Sequence, residues 1–225
     1  MSRIFHRLKP SLSSLLRTGV LAIIDSGVFP GLPSMVRAAS GLSAAGIRFF
    51  QLRAKVMPDA ELLDAAMKLK GAIPGCVLTI NDRCDISAAI GAAGVHLGAD
   101  DIPVEAARII LGRGGIVGAS AGNPSEIRAA LLDRPDYISF GPVYSTSTKR
   151  DAGRPLGVDG FTRLRRMVPK GVPILAVGGI TPDNVGVLIR AGADAVAVAS
   201  WWWKRGSPER AAKEMLEAVG TARKK

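Results

Sequence analysis

Cysteine and histidine are scarce in this sequence, which has two of each among its 225 residues. Cys76 and Cys84 lack the CxxC spacing and the neighbouring histidines of a zinc site, and two cysteines do not make a disulfide framework. This usage fits a reducing compartment, so we expect a cytoplasmic protein. No apolar run reaches the roughly 18 residues of a membrane span, and we expect no transmembrane segment.

Aromatic residues are also few, at 5% of the chain. No basic stretch is interleaved with aromatics, so we do not expect a nucleic-acid partner that stacks its bases on the protein. The charge balance is nevertheless strongly basic, with 30 Lys and Arg against 19 Asp and Glu and a formal net charge of +11. An excess of this size suits nucleic acid, a membrane surface or anionic small substrates, and we favour small phosphorylated substrates.

Residues 1–19 differ from the rest of the chain. They are basic, rich in Ser and Leu, and the first acidic residue of the chain is Asp25. This composition is typical of a transit peptide or of a helix on a membrane surface. The apolar segment of a signal peptide is missing. We favour a basic extension that folds back on a single domain formed by residues 20–225.

From Val20 onward, short apolar runs alternate with longer segments of helical periodicity. Eight strand–helix units predict a parallel sheet, for which a closed (β/α)8 barrel is the simplest architecture. An open doubly wound sheet is the alternative, weakened because no GxGxxG follows the first strand. The predicted strands are Val20–Ile24, Ile47–Leu52, Cys76–Ile80, Gly94–Leu97, Ile116–Gly118, Tyr137–Phe140, Pro173–Val177 and Ala195–Ala199. The predicted helices are Ser34–Ala45, Asp59–Gly71, Asp85–Ala92, Pro103–Leu111, Pro124–Leu132, Gly160–Val168, Asp183–Ala191 and Pro208–Ala222.

Polar residues cluster directly after these strands. In a barrel the loops that follow the strands share one face, and that face carries function. The polar strand ends are Gln51–Lys55, Asn81–Arg83, His96–Asp101, Ser120–Asn123, Gly178–Thr181 and Ala199–Ser200.

The loop Gly141–Lys149 has the composition of a phosphate site. It offers the hydroxyls of Thr146 and Thr148, the ammonium of Lys149 and several backbone N–H groups after a buried strand. Neutral donors with a fixed positive charge are what a phosphate or pyrophosphate requires. The alternative is a polar surface loop.

A second anion site is predicted at Gly178–Gly179, which precedes a helix with its cap near Thr181. Backbone N–H groups at a helix start bind anions, and Ser200 would lie beside them, where barrels commonly hold a phosphate. A glycine turn without a ligand is the alternative.

Asp82 and Asp101 fall at the ends of adjacent strands, where two carboxylates could hold Mg²⁺. Asn81 would sit beside the metal and contact substrate. Two further acids compete for this role. We assign Asp85 to the cap of the following helix and Asp100 to the surface.

Arg53 and Lys55 are two residues apart, so they would share one side of an extended segment and neutralise a pyrophosphate. A solvated charged face is the alternative. His96 is the one histidine of the predicted barrel, and we interpret it as a buried supporting residue. No Ser/His/Asp pattern is present. Anion binders with a divalent cation suit a reaction in which pyrophosphate departs.

Five segments in this order resemble the thiamine phosphate synthase family: Gln51–Lys55, Ile80–Arg83, Gly94–Gly98, Gly141–Lys149 and Ala176–Pro182. The resemblance runs from about Leu21 to Ser200. It implies a transferase of thiamine biosynthesis that couples hydroxymethylpyrimidine pyrophosphate to thiazole phosphate and releases pyrophosphate, with Mg²⁺ as cofactor.

The resemblance also implies a role for each matched residue. Arg53, Ser120 and Lys149 would be catalytic, and Asp82 and Asp101 would bind the metal. The pyrimidine pyrophosphate would be bound by Gln51, Arg53, Lys55 and Asn81, with Ser120 and Lys149 on the pyrophosphate. The thiazole phosphate would be bound by Thr146, Thr148, Gly179 and Ser200.

The sequence departs from the family pattern at two single positions and in one three-residue segment. Ala99 stands where a polar residue such as Gln is usual, and Gly122 stands where a His is common. Trp201 to Trp203 follow Ser200 in place of a small-residue segment. The three rings would cover the pocket mouth, form the contact of a homo-oligomer or lie at a membrane surface, because an exposed run of three large rings needs a partner.

Two alternative functions stay open. A thiazole tautomerase relies on a His in the segment after the fifth strand, and Gly122 argues against it. A non-catalytic paralogue would bind thiazole phosphate, thiamine phosphate or another anion without turnover.

Overall fold

A computed structural model describes residues 12, 16–112, 114–146, 148, 153–204 and 206–224. Its eight strands are parallel and close into a barrel in sequence order, with the first strand paired to the eighth. The predicted (β/α)8 barrel is confirmed, and the open sheet is excluded. The strands are β1 Val20–Asp25, β2 Phe49–Arg53, β3 Val77–Asn81, β4 Gly94–Leu97, β5 Ile116–Ala121, β6 Tyr137–Phe140, β7 Ile174–Val177 and β8 Ala195–Val198.

Helices separate the strands as the periodicity predicts. The described α-helices are Leu32–Ala44, Asp59–Ala72, Cys84–Ala89, Val104–Leu111, Pro124–Asp133, Gly157–Arg166, Pro182–Arg190, Trp201–Lys204 and Pro208–Arg223. Sequence-coded caps begin several of them. The side chain of Asn123 accepts from the backbone N–H groups of Ser125 and Glu126, both at 3.0 Å. Such a cap satisfies N–H groups that have no partner inside the helix.

The floor of the barrel is closed by the segment before β1. Residues Leu16–Thr18 form a single 3-10 turn, and Leu16 is buried in the apolar cluster of the barrel interior. Arg223, from the last helix, donates to the carbonyl of Leu16 at 3.0 Å and to that of Asp194 at 2.5 Å. Part of the predicted extension therefore packs on the barrel, while residues 1–11 and 13–15 lie outside the described part of the chain.

Among the described helices, none is both long and apolar enough to cross a membrane.

The expectation of three exposed tryptophans is wrong. Trp202 is fully buried and its indole N–H donates to the carbonyl of Val198 at 2.6 Å. Trp201 is half-buried, and Trp203 is 46% exposed with its ring packed edge-on against Phe29 at 5.5 Å. The chain turns into a short helix two residues after β8, so successive side chains point about 100° apart and one ring enters the core.

We expect Trp202→Ala to lower the free energy of unfolding by about 3–5 kcal/mol, because it removes a large, fully buried ring. Trp203→Ala is the matched control and should cost less than about 1 kcal/mol, since much of that ring already faces solvent. Urea unfolding of both variants measures the difference. Equal losses of stability would contradict the burial described here.

Candidate active site

The carboxyl ends of the strands open into a cavity of about 580 Å³. Every predicted site residue that the structure describes lines this cavity, whereas Lys149 lies outside the described residues. The structure thus brings the predicted residues together, and their individual roles stay predictions. Those lining the cavity are Gln51, Arg53, Lys55, Asn81, Asp82, Asp101, Ser120, Thr146, Thr148, Gly179 and Ser200.

The two predicted metal-binding acids face each other from neighbouring loops. The pKa of Asp101 is raised. The main cause is burial of its carboxyl group, and the second is the carboxyl group of Asp82, which lies within hydrogen-bonding reach. The Oδ2 atom of Asp101 accepts from the backbone N–H of Gly98 at 2.6 Å. The Lys55 ammonium lies 2.5 Å from the Asp82 carboxylate. Two close carboxyl groups with a cation beside them form an arrangement that attracts positive charge.

Asp82 also has an unusual backbone, with a φ of 65° in the left-handed region. Its N–H donates to the carbonyl of His96 at 2.8 Å, which continues the pairing of β3 with β4 beyond Asn81. A non-glycine residue in such a conformation costs about 1–3 kcal/mol and concentrates at functional sites. The strained turn aims the Asp82 carboxylate into the cavity.

The donor set fits Mg²⁺. In the described part of the chain, no group of three or more His, Cys, Asp or Glu side chains could hold a metal ion. Mg²⁺ does not require such a group, because it binds through one or two carboxylates and completes its shell with water and substrate phosphates.

The two competing acids do not join this pair. Asp85 is not the helix cap that we predicted, since the cap position is Arg83 and Asp85 lies inside the first turn of Cys84–Ala89. Its carboxylate pairs with the Arg83 guanidinium at 2.6 Å. Asp100 is exposed at the rim of the cavity, as predicted.

Arg53 ends β2 and lies directly beside Asp25, the last residue of β1. Arg53 Nη1 is 2.6 Å from Asp25 Oδ2, and the side chains are only 17% and 4% exposed. Arg53 therefore does not belong to a solvated charged face, whereas the Lys55 side chain is 51% exposed. Sequence reasoning missed Asp25, although an acid that closes an otherwise apolar strand was a visible signal.

A hydrogen-bonded chain of polar groups inside the barrel lines the cavity. His96 Nδ1 is 3.0 Å from the Tyr137 hydroxyl, and His96 Nε2 is 2.9 Å from the Ser120 hydroxyl. Gly118 makes room for the tyrosine, because a Cβ there would lie 2.1 Å from the Tyr137 ring. Tyr137 and Ser139 line the cavity as well, and neither was predicted.

Burial lowers the pKa of His96 to about 4, so the ring is neutral near pH 7. Burial likewise raises the pKa of Tyr137. His96 is buried, as expected, and its supporting role stays a prediction. A neutral ring donates through one nitrogen and accepts through the other, so His96 links the Tyr137 and Ser120 hydroxyls in one hydrogen-bonded chain.

We expect His96 to make the protein less stable as the pH falls from about 6.5 to about 4. Because the pKa is lower in the folded state, the unfolded chain gains a proton in this window that the folded chain does not. Urea unfolding at several pH values should therefore show a shallower decline for His96→Gln than for the wild type. Parallel declines would contradict a neutral, buried His96.

The glycine turn after β7 packs against the loop after β6. Gly179 has a φ of +62°, and a Cβ there would lie 2.6 Å from the carbonyl oxygen of Ser145. Asn184 holds the turn, since its Oδ1 accepts from Thr181 N–H and its Nδ2 donates to the Gly179 carbonyl, both at 2.9 Å. Thr181 caps the helix Pro182–Arg190, as predicted. Asn184 was not predicted.

A smaller cavity of about 400 Å³ adjoins this turn, and Thr146, Gly179 and Ser200 line both cavities. Thr146 Oγ1 also accepts from the N–H of Thr148 at 3.2 Å, which links these two residues of the predicted phosphate site. Hydroxyls and a helix N-terminus converge here, as an anion requires.

The barrel defines a (β/α)8 protein, and its cavity gathers cationic side chains, hydroxyls and a glycine turn before a helix, which are the groups that bind phosphorylated ligands. More narrowly, the chain belongs to the thiamine monophosphate synthase family, whose model matches residues 20–201. This match confirms the resemblance of the five sequence segments.

Named relatives agree with the family. A thiamine-phosphate synthase from Moorella thermoacetica is 37% identical over 205 residues, covering 90% of this chain and 96% of the relative. The thiamine biosynthesis bifunctional protein ThiM/ThiE from Symbiobacterium thermophilum is 40% identical over 219 residues, which are 96% of this chain but 44% of that relative. The solved structure of a thiamine phosphate pyrophosphorylase from Pyrococcus furiosus superimposes with a TM-score of 0.81 at 27% identity, covering 92% of this chain and 98% of that one.

Proposed function

We propose that this protein is a thiamine-phosphate synthase, which joins hydroxymethylpyrimidine pyrophosphate to thiazole phosphate. One observation carries the proposal. A single cavity gathers Arg53, Asp82, Asp101 and Ser120 from the ends of β2 to β5, and the phosphate turn at Gly179 follows β7. In a closed barrel these two parts of the rim face each other, so two phosphorylated substrates can meet between them.

The reaction needs charge stabilisation more than proton transfer. The bond between the pyrimidine methylene carbon and the diphosphate oxygen breaks, and its electron pair leaves with the diphosphate. The lone pair of the thiazole nitrogen then forms the new carbon–nitrogen bond, which leaves the positive charge on the thiazolium ring. That nitrogen has no proton to lose, so no general base is required. The neutral His96 and the anion-binding groups of the cavity suit this chemistry.

The predicted site residues then have separate binding roles. Arg53, Lys55, Ser120 and Lys149 would bind the diphosphate. Asp82 and Asp101 would hold Mg²⁺, which supplies positive charge to the leaving diphosphate when bound. Lys55 already stands beside Asp82, where a cation is favoured. The pyrimidine pyrophosphate would also contact Gln51 and Asn81, and the thiazole phosphate would contact Thr146, Thr148, Gly179 and Ser200.

A paralogue that binds without turnover is the second candidate, and the altered positions motivate it. Ala99 and Gly122 both line the cavity. The N–H of Gly122 donates to Glu126 Oε2 at 2.6 Å, a backbone contact that needs no side chain at position 122. Because position 122 offers no imidazole, we do not favour the thiazole tautomerase.

A coupling assay separates these candidates. Purified protein is incubated with both substrates and Mg²⁺, and thiamine phosphate is detected by mass spectrometry, with omission of each component and chelation of Mg²⁺ as controls. We expect product only when all components are present. Binding of both substrates without product would support the paralogue.

We also expect the protein to act in the cytoplasm. Both cysteines are free, which suits a reducing compartment. Homo-oligomer formation stays a prediction.

A further inference from the structure

Asp25 is a buried acid at the edge of the cavity, and it has no role of its own in binding the metal or either substrate. It is 3% exposed at the end of β1 and lines the cavity. Both of its carboxylate oxygens are occupied. Oδ1 accepts from Gly27 N–H at 2.8 Å, and Oδ2 accepts from Arg53 Nη1 at 2.6 Å. The backbone supports the same pairing, since Ser26 N–H donates to the Arg53 carbonyl at 2.9 Å.

This arrangement restrains the Arg53 guanidinium. A guanidinium is rigid and carries five N–H donors in a fixed fork, so anchoring one nitrogen limits the directions in which the others can point. Within the described residues, the Asp25 contact is the one hydrogen bond found for the Arg53 side chain. The remaining donors belong to a side chain that lines the cavity, where they are available to a ligand.

A carboxylate at this place also has an electrostatic cost. It lies beside a cavity that we assign to a diphosphate, and like charges repel. A buried ion pair is by itself weak evidence for stabilisation, because desolvation offsets most of the attraction. A geometric benefit to anion binding accounts for the acid better than stability does.

We propose that Asp25 is a positioning residue that orients the Arg53 guanidinium toward the diphosphate group of the substrate. The proposal rests on the proposed function, because it takes the ligand of Arg53 to be a diphosphate. Asp25 itself touches Arg53 and not the reacting atoms.

The direction in which one substitution changes the diphosphate affinity tests this proposal. Asp25→Asn removes a negative charge beside the anion site, so a purely electrostatic effect would tighten diphosphate binding. Loss of positioning would weaken it. We expect the dissociation constant of inorganic diphosphate, measured by calorimetry with Mg²⁺ present, to rise about tenfold, as for the loss of one charge-assisted contact.

A double-mutant cycle shows whether the effect passes through Arg53. In an Arg53→Ala background, Asp25→Asn should change the diphosphate affinity by less than about twofold, because there is no guanidinium left to orient. An effect as large as in the wild type would overturn the proposal.

Asp136 provides a matched control. It also pairs with an arginine, Arg108 at 3.2 Å, and accepts from a backbone N–H, that of Val117 at 2.7 Å. It precedes β6, at the end of the barrel opposite the cavity. Asp136→Asn should lower the thermal midpoint of unfolding without changing diphosphate affinity.

Asp25→Glu is the second variant, and it decides the question if Asp25→Asn does not fold. It keeps the charge but is one methylene longer, so it displaces the guanidinium and should also weaken diphosphate binding. Wild-type affinity in either folded variant, tighter binding in Asp25→Asn, or no diphosphate binding by the wild type would overturn the proposal. The coupling assay is independent of these binding measurements. A wild type that binds diphosphate without forming product would contradict the proposed function but not the positioning role of Asp25.

Discussion

Asp101→Ala is expected to lower kcat/KM for thiamine phosphate formation by about a thousandfold while leaving the fold intact. The variant removes one of two carboxylates that we assign to Mg²⁺, and charge stabilisation of a leaving group by a metal ion is worth several kcal/mol, at about 1.4 kcal/mol for each factor of ten. The backbone loses only the contact from Gly98 to the Asp101 carboxylate. Steady-state kinetics over a Mg²⁺ titration measures the loss of kcat/KM, and circular dichroism of the variant checks that the fold is intact.

Asp64→Ala is the control for Asp101→Ala. Asp64 carries the same charge on an exposed helix face, where it pairs with Lys68 at 2.7 Å. We expect wild-type kinetics from it, since an exposed pair contributes little. Full activity of Asp101→Ala with an unchanged Mg²⁺ requirement would remove the metal assignment.

Arg53→Ala should raise the KM for the pyrimidine pyrophosphate about a hundredfold and also destabilise the protein. Removing one partner of a buried, charged contact costs about 2–5 kcal/mol of binding. The same change leaves the Asp25 carboxylate buried without its cation, which costs about 3–5 kcal/mol of stability. Kinetics with the pyrimidine substrate varied, together with urea unfolding, measures the two effects separately.

A second substitution shows where the loss of stability in Arg53→Ala comes from. Adding Asp25→Asn to Arg53→Ala should restore part of the lost stability, because the unpaired charge is gone, while the KM stays high. Lys68→Ala, which breaks an exposed pair, should alter neither quantity. An unchanged KM in Arg53→Ala would contradict the role of Arg53 in binding the diphosphate.

The sequence was informative about the fold because the fold depends on periodicity. Alternating apolar runs and helical segments predicted eight strand–helix units, and every strand lies within a few residues of its predicted position. The polar residues that follow the predicted strands could then be assigned to one cavity, since a parallel barrel brings all carboxyl ends of its strands to one face.

Features that depend on register and side-chain direction were not predictable. The pairing of Asp25 with Arg53 follows from the alignment of β1 with β2, and a sequence does not state that alignment. The burial of Trp202 depends on a four-residue helix, Trp201–Lys204, which has no periodic pattern of its own. The left-handed backbone of Asp82 is likewise a tertiary effect at a non-glycine residue.

A crystal structure with Mg²⁺, inorganic diphosphate and thiamine phosphate would show whether all three ligands occupy one shared cavity. We predict diphosphate on the Arg53 guanidinium and the Ser120 hydroxyl, with Mg²⁺ held by Asp82 and Asp101. We predict the phosphate of the thiamine phosphate at the Gly179 turn. Diphosphate or Mg²⁺ bound away from these side chains, with the cavity otherwise accessible, would contradict these predictions.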